Sequence, residues 1–117
     1  SGLVSATGRL IAACSGETWP LLRKKFSATP WDKAPSFDAW KKEVELAQAR
    51  GWSVDRDNFV SGLTAVAVPV FASEGRLTHT LGATGLSSQM NAAAVSDLAA
   101  TMQREARQIS EQLFPRG

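Results

Sequence analysis

The stretch LTAVAVPVF, Leu63–Phe71, constrains the fold of this chain more than any other. It carries no charge, and Val66, Val68 and Val70 alternate with Ala65, Ala67 and Pro69. β-Branched residues at every second position predict a strand. Both of its faces are apolar, so the strand must be largely buried. ASEG, Ala72–Gly75, is a loop of hairpin length with glycine near its end. RLTHTLGAT, Arg76–Thr84, then reads as the returning strand.

Helices account for most of the rest. Ala6–Cys14 has Leu10, Ile11 and Cys14 at helical spacing, with Ser5 or Thr7 as cap. Glu17–Phe26 predicts a second helix, whose basic end Arg23-Lys24-Lys25 suits the negative end of a helix dipole. Ser27–Ser36 is a loop containing Pro30 and Pro35. Ser36 caps a helix over Phe37–Arg50 with Phe37, Trp40, Val44 and Ala47 as its apolar stripe, and Gly51 stops it. Trp52–Asp55 is a short extended piece, and Arg56–Gly62 is a loop. After a loop at Gly85–Met90, Asn91 caps a long helix over Ala92–Leu113, with Val95, Leu98, Met102, Ala106, Ile109 and Leu113 at three- and four-residue steps. The order predicts an α+β domain, a small antiparallel sheet covered by helices. Two or three strands are few for helices this apolar. That mismatch, with the missing initiator Met, leads us to expect part of a larger domain, or a partner over the sheet.

Composition narrows the function. A chain of 117 residues that is 44% hydrophobic suits one domain with a real core. Residues 1–50 carry eight Lys/Arg against five Asp/Glu, and residues 51–117 carry five against six. No block of like charge marks a nucleic-acid surface. No apolar run approaches the roughly 20 residues that cross a bilayer. Cys14 is the sole cysteine, so an internal disulfide is impossible, and a reducing, cytoplasmic setting is expected.

Catalytic patterns are sparse. His79 is the only histidine and lies in a strand, while Cys14 lies on an apolar helix face, so strand and core roles outweigh a Cys-His pair. One His and one Cys are too few for zinc. No P-loop or GxGxxG occurs, and Gly82-Ala83-Thr84-Gly85 is not followed by a phosphate-binding helix. Asp55-Arg56-Asp57-Asn58 lacks the third acid, central Gly and terminal Glu of a calcium loop. A solvated loop is its simplest reading. Trp40 is a core residue. Trp31, between prolines, is equally a core residue and a pocket or interface anchor. Ala65, Ala67, Gly82 and Ala83 are small residues on the two strands. They fit close helix packing, or a cavity with Asp55 and Thr84 at its mouth.

Three stretches in order resemble one known family, the C-terminal effector-binding domain of IclR-family bacterial transcription regulators. They are SATGRLIAA (Ser5–Ala13), ELAQARGWSVDRDNFVSGLTAVAVPVF (Glu45–Phe71) and TLGATGLSSQM (Thr80–Met90). The chain departs from the family pattern at Trp52, Thr84, Leu86 and Gln89, where Tyr, Ser, Pro and Arg are usual. The resemblance implies a GAF/profilin-like antiparallel sheet covered by helices, truncated at its N-terminal side, with residues 1–117 forming a partial ligand-sensing domain. It implies no catalysis and no cofactor or metal. It implies a small carboxylate or aromatic-acid effector, a homo-dimer or tetramer, and DNA contact only through a winged helix-turn-helix absent from this chain. Carried over by position, Ala6, Thr7 and Gly8 would cradle the ligand at a helix start, where orphan N–H groups favour an anion. Asp55 would accept a hydrogen bond from a ligand hydroxyl or a neighbouring backbone donor. Ala65, Gly82 and Thr84 would line the pocket, Asp57 would be a turn residue, and a pocket poor in hydroxyls would favour a larger, more apolar acid. Two further readings stand beside this one: an oligomerisation module without ligand, and an enzyme on the same scaffold using Asp55 as general base.

Overall fold

A computed structural model describes residues 5–30 and 34–115. The elements run α1 (Ala6–Cys14), α2 (Trp19–Ala28), α3 (Phe37–Arg50), β1 (Ser53–Arg56), β2 (Leu63–Phe71), β3 (Leu77–Leu86) and α4 (Ala92–Leu113), with a short 3-10 turn at Ser87–Gln89. The strands form one antiparallel sheet in the order β1-β2-β3. This is the α+β sheet-and-helix arrangement that the sequence predicts.

Local chemistry sets most boundaries. Ser5, Ser36 and Asn91 accept N–H bonds from Gly8, Ala39 and Ala94 and so cap α1, α3 and α4. Gly51 closes α3 at φ +84, a conformation that disfavours any side chain. Three elements differ from expectation in their bounds. α2 starts at Trp19 rather than Glu17, because Pro20 belongs in a first turn, where its missing N–H is harmless, and α2 continues to Ala28. Arg56 belongs to β1 rather than to the loop, since it pairs with Thr64. β3 extends to Leu86 through Gly85, which pairs with Thr64, so the loop begins two residues later than predicted. The Pro-flanked Trp31 lies outside the described residues.

β2 is the centre of the molecule, and its two apolar faces are covered by different helices. Val66, Val68 and Val70 pack on Val95, Ala99, Met102 and Ala106 of α4. Ala67, on the opposite face, meets Ala6 and Leu10 of α1. Behind α1, a second core joins Ala12, Leu22, Trp40 and Val44, with Trp19, Phe26 and Phe37 around it. Trp40 is fully buried, as its place on the α3 stripe requires. On α4 the inner line is Val95, Ala99, Met102 and Ala106, while Leu113 is exposed. The helix ends at Leu113, with Phe114 as its C-cap just before Pro115.

Candidate functional site

Residues paired across the sheet share a face. Asp55 pairs with Ala65 and Ala65 with Thr84; Ser53 pairs with Ala67 and Ala67 with Gly82. These two rows form the face that α1 crosses. The structure therefore brings Ala6, Thr7 and Gly8 at the start of α1 together with the rows that hold Asp55, Ala65, Gly82 and Thr84. Ala6, Gly8 and Asp55 are buried, Thr7 and Ala65 are half-buried, and Gly82 and Thr84 are exposed. The β3 side of the face is thus open and the β1 side closed.

Two side chains of β1 fasten α1 to the sheet. Ser53 Oγ donates to the Ala6 carbonyl. Arg9 Nη1 donates to Asp55 Oδ1 at 2.7 Å, with both side chains at most 3% exposed. Asp55 Oδ2 accepts from the Phe59 backbone N–H at 2.9 Å. Asp55 is therefore no solvated loop residue but a buried strand carboxylate that joins α1 to the following loop. Two of its roughly four lone-pair positions are used. The Arg9 Nε is buried without a hydrogen-bond partner. Of the alternatives foreseen for Asp55, a backbone donor is present. Its arginine partner was missed. A charged residue inside an apolar helix reads as a surface residue, and only the Gly8-Arg9 position within the family-like motif hinted otherwise.

Asp57 does shape a turn. At φ +67 it is the one non-glycine with left-handed backbone among the described residues. Its Oδ1 accepts from the Gly62 N–H at 2.9 Å and from Ser87 Oγ at 2.7 Å, and Ser87 Oγ also meets Thr64 Oγ1 at 2.8 Å. The loop from Asp57 to Gly62 is fixed from both ends, yet Phe59 and Val60 stay exposed.

A groove of about 960 Å³ lies beyond these rows, at the other end of α1. β1 begins opposite Ala67 while β2 runs on to Phe71, so the edge of β2 beyond Ala67 is left without a strand on that side. Leu10 and Cys14 of α1, Pro69 of β2, and Ala106, Arg107 and Glu111 of α4 are among its walls. Of the predicted ligand residues, none lines it. We give the family-like face priority as the candidate site, because the groove is an open slot at the sheet edge rather than an enclosed cavity. Cys14, expected on the apolar helix face, stands at the groove wall; the residue as a whole is exposed, but partial desolvation of its thiol against the wall pushes its pKa up. His79 is exposed on β3, where its Nδ1 meets Thr78 Oγ1 at 3.1 Å. Among the described residues no His, Cys, Asp and Glu group could hold a metal, and no helix is long and apolar enough to cross a membrane.

Comparison with known proteins now has a geometry to explain. Residues 5–111 match the family described as bacterial transcriptional regulator IclR C-terminal. Among solved structures, the repressor BlcR of Agobacterium tumefaciens is similar at 20% identity and TM-score 0.79, covering 96% of this chain and 47% of its own. The C-terminal domain of E. coli KdgR gives 19% and 0.74, covering 95% and 70%. The inducer-binding domain of PobR from Acinetobacter, solved as a double mutant with 3-hydroxybenzoic acid, gives 11% and 0.72, covering 93% and 65%. This chain spans about half the length of the whole regulators it matches. No curated protein matches the sequence.

Proposed function

The chain belongs to the IclR C-terminal family of bacterial transcriptional regulators, and from that premise we propose that it is a non-catalytic sensor for a small carboxylate, most simply an aromatic acid. The observation that carries this reading is the attachment of α1 to the sheet through Ser53 and Asp55, which sets the helix start beside the Ala65–Thr84 row. The N–H groups of Ala6 and Thr7 lie in the first turn, where the backbone is poor in acceptors and suits an anion. Gly8 N–H is instead occupied by the Ser5 cap at 3.4 Å. Ala65 and Gly82 leave room for an apolar ring, and Thr84 supplies a hydroxyl. The PobR domain's 3-hydroxybenzoic acid supports the aromatic-acid choice.

Asp55 serves this site chiefly as its anchor. It holds Arg9 and the Phe59 loop, and a ligand hydroxyl can reach one of its remaining lone pairs. With one oxygen on Arg9 and the other on the Phe59 N–H, Asp55 is poorly placed to take a substrate proton, which favours sensing over catalysis. In the whole regulator, the ligand would act by binding alternative states of the domain unequally. Dimers or tetramers and a separate DNA-binding domain belong to the same proposal. The test is calorimetric titration of a panel of aromatic and aliphatic acids. Binding that Thr84→Val weakens and that Ala65→Leu abolishes supports the reading. A folded protein that binds none of the panel points to the oligomerisation module instead, and turnover of any panel member would reinstate the enzyme.

A further inference from the structure

We propose that the groove between α1, α4 and the open edge of β2 is a second ligand site, for a free amino acid with a large apolar side chain. Its volume of about 960 Å³ falls within the roughly 300–1,000 Å³ of small-molecule pockets. The walls are apolar at Leu10, Pro69, Ala106 and Phe114. Its charged lining residues are one cation and one anion, Arg107 and Glu111, a helical turn apart on α4. Among the described residues neither makes an ion pair or hydrogen bond, and they do not pair with each other. Residues at this spacing stand about 5–6 Å apart at Cβ. A carboxylate and an ammonium on one carbon fit between them.

The charge pattern selects against the simpler ligands. A free acid drawn to Arg107 meets Glu111, and a free amine drawn to Glu111 meets Arg107. A zwitterion satisfies both. The groove amides lean the same way. Gln48 and Gln103 direct their N–H donors to the carbonyls of Ala13 and Arg50, each at 3.4 Å, which leaves their carbonyl oxygens for an ammonium. A peptide strand is a poor occupant. Leu63 turns its carbonyl towards β1, accepting from Asp57 N–H, so every second residue on, Pro69 included, faces the same edge. Pro69 has no N–H to offer there, and the Phe71 carbonyl is taken by Ser110 Oγ.

The test is titration of the Ala65→Leu chain, in which the aromatic-acid face is blocked, with L-phenylalanine and L-leucine, and with phenethylamine and 3-phenylpropanoate as probes that lack one charge each. Saturable binding of the amino acids is expected, with each probe about tenfold weaker or more, as loss of one charge-assisted hydrogen bond brings. Arg107→Gln and Glu111→Gln, both at exposed positions, should each weaken binding about tenfold without moving the melting temperature. Bound amino acid should also slow alkylation of Cys14 in the groove wall. Thr84→Val should leave all of this unchanged, which separates the groove from the α1–β3 face. No saturation by either amino acid, probes as tight as the amino acids, or indifference to both α4 substitutions would each overturn the proposal.

Discussion

Asp55 and Arg9 are the residues on which most depends. Two charges removed from water are held by one 2.7 Å contact and one backbone N–H. Such a pair adds little by existing, but losing one member strands the other. Asp55→Ala should therefore destabilise the domain by about 3–5 kcal/mol in urea melts. The double variant Arg9→Met, Asp55→Leu should recover most of that loss, because no buried charge is left uncompensated. A double variant as unstable as the sum of the singles would mean that the two charges are not coupled and would contradict this account. At Cys14 the raised pKa implies a smaller thiolate fraction than in a free cysteine near neutral pH. Iodoacetamide should thus modify Cys14 more slowly than a model thiol at pH 7.5, with the rate rising as pH climbs past the ordinary thiol range. Equal rates at pH 7.5 would contradict that.

At the scale of elements, the caps and β2 explain what could be read in advance. α1, α3, β2 and α4 fall on their predicted bounds because Ser5, Ser36, Gly51 and Asn91 mark ends chemically, and because β2 has no polar face to misplace. β3 runs two residues past its expected end at Thr84 because Gly85 and Leu86 pair with Thr64 and Leu63 across the ladder. The Arg9–Asp55 contact joins positions 46 residues apart, and no local pattern encodes it. The groove was equally illegible. It exists because β1 stops short of the end of β2, a fact of pairing rather than of composition. Gly51→Ala tests the most demanding of these ends. A Cβ there would lie 3.3 Å from Gln103 Nε2 and would keep φ positive. A loss of about 1 kcal/mol or more is expected by thermal melt, and no loss would mean that the cap relaxes freely.

For the whole molecule, the feature to explain is an asymmetry. α4 covers one face of the sheet, whereas α1 covers only the β1 and β2 side of the other, leaving Gly82 and Thr84 open. On the reading proposed above, that open half is the ligand face of an IclR C-terminal domain. The three family-like stretches were legible because they are short and ordered, and they hold Ala6, Asp55, Ala65 and Thr84. What those residues touch was not legible, since contact depends on how α1 lies across the sheet. The most direct measurement is the thermal stability of the protein with and without an aromatic acid such as 3-hydroxybenzoate, in wild type and in Ala65→Leu. At 100 times the dissociation constant the ligand should stabilise wild type by roughly 2.7 kcal/mol and leave Ala65→Leu unmoved. Equal stabilisation of both proteins, with Ala65→Leu folded, would place the acid elsewhere and contradict the assignment of this face.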